Sequence, residues 1–254
     1  MELLDRVAII TGSGSGIGKA IALAFAQAGA KIALCDINDE ALAKTGESVG
    51  ALGAEALPVR VDVTDPMQVN RMVEVVVGAW GRVDILVNNA GGGGGQSGLE
   101  MTDEEWDSVV DLNLKSQFLC CRAVVPQMER QGFGRIINMA SNAGKYRSNT
   151  GIGGIHYGAA KAGVMQLTRV AAYVLGRKGI TVNAIAPGSV LSEAGVREYE
   201  SLAVDRRERI LKETPLGRFA SPEEIAGIAV FLASDDSSYV TGATILASGG
   251  WCST

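Results

Sequence analysis

Histidine is almost missing from this chain. One, His156, stands among 254 residues, which argues against a histidine-ligated metal centre or a Ser-His-Asp triad. Cysteine is scarce too. Cys35, Cys120, Cys121 and Cys252 form no Cys-x-x-Cys pair, and their spacing fits neither a zinc site nor a disulfide scaffold, so they read as free thiols in a reducing compartment. With 6 prolines the chain is no Pro-rich linker protein. No uncharged apolar run reaches the ~18 residues of a membrane span. Asp5 and Arg6 interrupt the N-terminus before any signal-peptide core. Positive charge is outnumbered, 23 Lys and Arg against 28 Asp and Glu for a net charge of -5. That balance argues against nucleic acid or an anionic membrane as the main partner. These absences leave a cytoplasmic protein that acts on a small molecule, without a metal.

What is present is apolar residue, 47% of the chain, and glycine, 33 in number. The first excludes disorder and supplies a sizeable core. The second exceeds a background of about 7%, yet shows no collagen period. Short β-branched runs alternate with helical ones from end to end. Strands are expected at Val7 to Thr11, Lys31 to Cys35, Leu57 to Val61, Asp84 to Val87, Arg135 to Met139, Ile180 to Ala186 and Ala243 to Leu246. Helices are expected at Lys19 to Ala28, Asn38 to Leu52, Asp65 to about Ala79, Thr102 toward Met128, Tyr157 to Leu175 and after Ser221. Such alternation predicts an α/β fold: one doubly wound parallel sheet of about seven strands with helices on both faces. No linker divides the chain, so residues 1–254 form a single domain.

Glycines at 12, 14, 16 and 18 lie between the first strand and the first helix. Without Cβ the backbone turns sharply there and approaches a pyrophosphate, whose charge meets helix N–H groups. Asp36 ends the second strand, where a carboxylate can accept both ribose hydroxyls of NAD and repels the 2′-phosphate of NADP. Ser15 and Ile37 lack the cation that would clamp that phosphate, so NAD is expected. Tyr157 and Lys161 are four apart near a helix start and share a face. A free phenol, with a pKa of about 10, is a poor base, and a neighbouring ammonium favours its phenolate.

These motifs in this order resemble the short-chain dehydrogenase/reductase family nearly end to end: T-G-x-x-x-G-x-G at Thr11 to Gly18, N-N-A-G at Asn88 to Gly91, then Asn113, Ser141, Tyr157, Lys161, Pro187-Gly188 and a closing segment from Val240 to Trp251. The resemblance implies that Tyr157 is the general acid/base and that Lys161 lowers its pKa and binds the nicotinamide ribose. It implies that Ser141 bonds the substrate oxygen and that Asn113 holds a water linking Lys161 to solvent. The cofactor would lie against Gly12, Ser15, Gly16, Ile17 and Gly18, with Asp36 and Ile37 at the adenosine ribose and Asp62 and Val63 at the adenine. Asn89, Ala90 and Gly91 would flank the adenosine ribose side, and Pro187, Gly188, Val190 and Ser192 the nicotinamide. A homotetramer is implied, with the helices around Asp103 to Met128 and Tyr157 to Leu175 at one interface.

Three features depart from the family pattern. The stretch from Ser141 to Tyr157 is long, with extra residues in a polar, Gly-rich loop at Lys145 to Ile155. Ser192 stands for a threonine, and Ser248-Gly249-Gly250 for Asp-Gly-Gly. His156 is expected at the rim of the site, Lys145 and Arg147 in a solvated loop, and Gly92 to Gly95 in a mobile one. Residues 189–213 correspond to the family's substrate lid and carry Glu193, Arg197, Glu198, Glu200, Asp205, Arg206, Arg207, Glu208, Arg209 and Lys212. Those charges predict a small polar alcohol, sugar or polyol. They equally suit a lid whose charges face water while Val196, Tyr199, Leu202 and Val204 line the pocket. The expected activity is hydride transfer between NAD(H) and a secondary alcohol or ketone. The alternatives are an NADPH-dependent 3-oxoacyl thioester reductase and, outside enzymes, a dinucleotide-binding sensor or structural subunit.

Overall fold

The computed structural model describes residues 2–93, 98–146, 154–192, 195–196, 199–200 and 202–251. Gly94, Gly95, Arg147, Gly151, Gly153, Glu193, Arg197, Glu198 and Cys252, on which expectations were placed, lie outside the described residues.

Seven strands run parallel: β1 (Val7–Thr11), β2 (Lys31–Asp36), β3 (Ala56–Arg60), β4 (Ile85–Asn88), β5 (Gly134–Met139), β6 (Ile180–Pro187) and β7 (Thr244–Ala247). The central ones are apolar runs rather than alternating ones, because helices cover both faces of the sheet. The spatial order is β3-β2-β1-β4-β5-β6-β7, the doubly wound arrangement expected. The order reverses between β1 and β4, and a crevice opens there beyond the strand C-terminal ends, where open α/β sheets bind ligands.

Two apolar layers hold the sheet. On one face α1 (Gly16–Gln27), α2 (Asp39–Ala51) and α8 (Pro222–Ala233) bury Ile21, Phe25, Leu42 and Leu232 against Ile10, Leu34 and Val87. On the other, α3 (Pro66–Trp80), α5 (Ser116–Gln131) and α6 (Gly154–Leu175) bury Met72, Val76, Val124, Met128 and Leu175 against Ile9, Leu86 and Ile136.

Local chemistry sets the helix ends. Asp65 accepts from the N–H groups of Met67 and Gln68, with Pro66 at the first helical position. Thr102 and Glu105 form a reciprocal capping box opening α4 (Asp103–Val110), and Ser221 and Glu224 form another at α8. The single helix expected from Thr102 toward Met128 is interrupted. Asp111–Lys115 is a π-turn, closed by the Ser116 N–H on the Asp111 carbonyl, before α5 runs on to Gln131. A π-turn accommodates an extra residue within the helix and re-aims the side chains around it; Asn113 sits on this turn. The last described helix before α8 is α7 (Val204–Glu213), inside the lid segment. Among the described residues no helix is long and apolar enough to cross a membrane, and no group of three or more His, Cys, Asp or Glu could hold a metal ion.

Candidate active site

A cavity of about 900 Å³ occupies the crevice. Its floor is the turn after β1. Gly12 adopts φ +64°, and a Cβ on it would lie 2.9 Å from the Ala90 Cα, so only glycine lets the two loops meet. Two side chains fasten that contact, and a third braces the turn from β2. The Asn89 amide donates to the carbonyls of Thr11 and Gly12, both at 3.0 Å. The Thr11 hydroxyl accepts from the N–H groups of Asn89 and Ala90. Asp36 accepts from the Gly14 N–H at 3.0 Å and the Asn38 N–H at 3.1 Å. At the head of α1, Ser15 makes no side-chain cap, so the helix presents its first N–H groups to the cavity. Such a cradle suits a pyrophosphate.

Of the residues expected to hold a cofactor, Gly12, Ser15, Gly16, Ile17, Asp36, Ile37, Asp62, Val63, Asn89, Ala90, Gly91, Tyr157, Lys161, Pro187, Gly188, Val190 and Ser192 all line this cavity. Gly18 does not. It packs beneath the turn, where a Cβ would run into the Gly12 carbonyl, so it supports the cradle without touching its contents. Among the described residues Lys161 is the one cation on the cavity wall.

Tyr157 is half-buried on the first turns of α6, and the Lys161 Nζ lies 5.5 Å from the centre of its ring. Lys161 is 3% exposed and donates to the Met139 carbonyl at 2.8 Å. Burial disfavours its charge and brings its pKa from 10.5 to about 8. Gly91 passes close by, since a Cβ there would lie 2.7 Å from Asn113 Oδ1 and 3.3 Å from Lys161 Nζ. Ser141, after β5, is buried at the cavity wall; its Oγ accepts from the Ala143 N–H at 3.2 Å and donates to Asn142 Oδ1 at 3.3 Å. Asn113 stands one layer behind. Its amide clasps Gly92 in both directions, accepting from its N–H at 3.1 Å and donating to its carbonyl at 2.8 Å.

His156 departs from expectation. It is 1% exposed rather than at the rim, and its Nδ1 accepts from the Tyr157 N–H at 2.9 Å near the helix start. Cys35, Cys120 and Cys121 are buried free thiols. Burial pushes the Cys121 thiol up to about 12, which leaves it inert as a nucleophile. Ser248, the third departure, closes its own turn by donating to the Trp251 carbonyl at 2.8 Å.

The segment expected to form the lid, together with the turn that follows it, presents two sides. Tyr199, Leu202, Ile210 and Phe219 line the cavity, and the rings of Tyr199 and Phe219 meet edge to face with centroids 4.9 Å apart. Asp205, Glu208, Arg209 and Lys212 are exposed, and so are Val196 and Val204. Ile210 is not evident from the sequence because spacing within a charged segment does not betray which face turns inward, and Phe219 because it lies beyond that segment. Gln117 is not evident either, although its position four residues after Asn113 places it on the same helical face.

Comparison with known proteins agrees with this architecture. A family model described as enoyl-(acyl carrier protein) reductase matches residues 12–252. The chain is 42% identical over 250 residues to the 3-oxoacyl-[acyl-carrier-protein] reductase FabG of Thermotoga maritima, covering 98% of this chain and 99% of that protein. It is 39% identical over 250 residues to the (2S)-[(R)-hydroxy(phenyl)methyl]succinyl-CoA dehydrogenase subunit BbsD of Thauera aromatica, covering 98% of each. Among solved structures, levodione reductase superposes with a TM-score of 0.93 at 37% identity over 98% of both chains. A 7α-hydroxysteroid dehydrogenase complexed with NADH and 7-oxo glycochenodeoxycholic acid superposes at 0.92 and 36% identity, over 98% of this chain and 95% of that one. Sheet order, cradle and near-complete matches converge: the chain belongs to the short-chain dehydrogenase/reductase family, oxidoreductases that bind a nicotinamide dinucleotide.

Proposed function

We propose that the protein interconverts a ketone and a secondary alcohol on an acyl thioester of the 3-oxoacyl type, with NAD(H) as hydride carrier. The observation that carries the substrate class is the apolar, partly aromatic wall of Tyr199, Leu202, Ile210 and Phe219, with Asp205, Glu208, Arg209 and Lys212 turned to water and Arg207 stacked on the Tyr199 ring. A sugar or polyol calls for converging polar groups, which that wall does not offer. Relatives whose names specify an oxoacyl carrier-protein thioester and a hydroxyacyl-CoA support the same reading. Asp36, with no cation beside it on the cavity wall, supports NAD over NADP.

The cradle around Gly12 and the open head of α1 fit the cofactor's pyrophosphate, and Asp36 its adenosine ribose. When bound, the nicotinamide supplies or takes the hydride. Tyr157 gives its phenolic proton to the carbonyl oxygen in reduction and takes it back in oxidation. Lys161 holds positive charge near the phenol and favours its ionised form. Ser141 Oγ orients the substrate oxygen, and Asn113 fixes the Gly92 loop beside the lysine. Further proposals concern the whole protein. It works in the cytoplasm as a homotetramer, a state supported by exposed Phe118 on α5 and exposed Val170, Tyr173 and Val174 on α6.

The test is turnover of acetoacetyl-CoA with NADH and with NADPH, alongside a panel of polyols. The expected result is reduction of the thioester with NADH preferred. Tyr157→Phe should lower turnover by about 10²–10⁴-fold and leave NADH binding within about twofold. Polyol oxidation without thioester activity overturns the substrate class, and an active Tyr157→Phe overturns the mechanism.

A further inference from the structure

The Met139 carbonyl, which anchors Lys161, has a second donor. Gln117 Nε2 donates to it at 3.0 Å, beside the Lys161 bond at 2.8 Å. A carbonyl has two lone pairs, so both bonds form at once and set amide and ammonium side by side. The other hydrogen of the same Nε2 goes to the Asn113 carbonyl at 3.2 Å. That carbonyl belongs to the π-turn between α4 and α5. Gln117 is 1% exposed, Lys161 3% and Asn113 0%. Gln117 Oε1 is buried and has no hydrogen-bond partner among the described residues. A glutamine kept in the core with its acceptor unused is kept for its donors.

We propose that Gln117 is a positioning residue for Lys161, holding the Asn113 and Met139 carbonyls in place and sharing the second with the lysine ammonium. This rests on the reading of Tyr157 and Lys161 as the proton-transfer pair and adds a member to it. The amide links the π-turn that carries Asn113 to the end of β5, where Lys161 is moored. It also occupies part of the acceptor capacity that the ammonium would otherwise have alone, so it weakens the hold on the charged form. The titratable groups facing the lysine across the cavity are few. Tyr157 lies on its own helix, Cys35 and Asp36 end β2, Asp62 follows β3, and Asp111 stands on the π-turn. Burial lowers its pKa, and none of these carboxylates offsets that shift.

The experiment reads Lys161 directly in the cofactor-free protein. Acetic anhydride, small enough for the cavity, is pulsed across a pH series, and acetylation of the Lys161 peptide is followed by mass spectrometry. The wild-type midpoint is expected near 8. Gln117→Met keeps the length and removes the donors, so the midpoint moves up by at least about half a pH unit. Gln117→Glu puts a carboxylate beside the ammonium and moves it further in the same direction. With acetoacetyl-CoA and NADH, Gln117→Met lowers kcat about tenfold while KM for NADH stays within about twofold. A midpoint that stays put or falls in a folded variant makes Gln117 a structural spacer and overturns the proposal. If Gln117→Met does not fold, Gln117→Leu, which also lacks the donors and adds no charge, carries the test. Absence of thioester turnover strikes the functional reading and leaves the labelling result standing.

Discussion

The two halves of the cavity are built by different means. On the β1 and β2 side, side chains bond to backbone: Asn89 to the carbonyls of Thr11 and Gly12, Thr11 to the N–H groups of Asn89 and Ala90, Asp36 to the N–H of Gly14. On the other side the wall is packing, with Tyr199 between Phe219 and the Arg207 guanidinium and with Leu202 and Ile210 buried. Hydrogen bonds to fixed backbone demand particular residues at particular spacings. Packing demands only apolar volume of the right shape. The first half therefore suits a ligand that never changes, a dinucleotide, and the second can be refitted to a new substrate without disturbing the first.

Lys161 stands at the seam, and replacing it gives the largest effect. Lys161→Met should lower turnover by about 10²–10⁴-fold, the range for losing a partner in proton transfer. The same change should stabilise the cofactor-free protein. The folded-state pKa of about 8 is below that of the unfolded chain, so between these values the unfolded state binds more protons and stability rises with pH. Below pH 8 the wild type carries the whole cost of a buried ammonium, up to about 3 kcal/mol. Denaturant unfolding at pH 7 should show the variant ahead, and the gap should close as the pH approaches 10. A variant less stable than wild type at pH 7 would mean that the bond to Met139 outweighs the burial of charge.

The next effect tests the hydrogen-bonded half. Asp36→Ala removes the acceptor for Gly14 and Asn38 and the charge that repels a 2′-phosphate. The NADH to NADPH preference, read as the ratio of kcat/KM values, should fall by about tenfold or more, and KM for acetoacetyl-CoA should hold. An unchanged ratio would locate cofactor choice elsewhere. Loss of substrate affinity along with it would break the independence of the two halves.

The same contrast explains what the sequence disclosed. The doubly wound sheet, the glycine turn after β1, and the gathering of Ser141, Tyr157 and Lys161 at one cavity were legible, because each depends on a residue type that a neighbouring backbone or charge requires. The π-turn at Asp111–Lys115 was not. Helical periodicity continues through it, and the extra residue leaves no mark in the pattern of apolar positions. The burial of His156, whose Nδ1 accepts from the Tyr157 N–H, is a tertiary feature that no spacing announces. The lid resisted for a third reason. Its charged residues outnumber its apolar ones, so composition pointed to a polar substrate. The four residues that face inward come from Tyr199, Leu202, α7 and the turn before α8, which only the fold brings together.

Phe219→Ala gives the smallest effect and tests the packed half alone. The residue follows α7 and shares its edge-to-face contact with Tyr199. It bonds no group of the cradle, and an aromatic pair of this kind adds about 0.5–1.5 kcal/mol beyond its buried area. Removing the ring should raise KM for acetoacetyl-CoA about threefold to tenfold and raise it more for a longer oxoacyl chain, which has more apolar surface to lose. The Kd for NADH, followed by fluorescence, should remain within about twofold. Equal losses for short and long chains would mean that the acyl group does not run along this wall. A weakened NADH complex would mean that the lid helps to hold the cofactor, so that refitting the pocket to a new substrate would also alter the dinucleotide site.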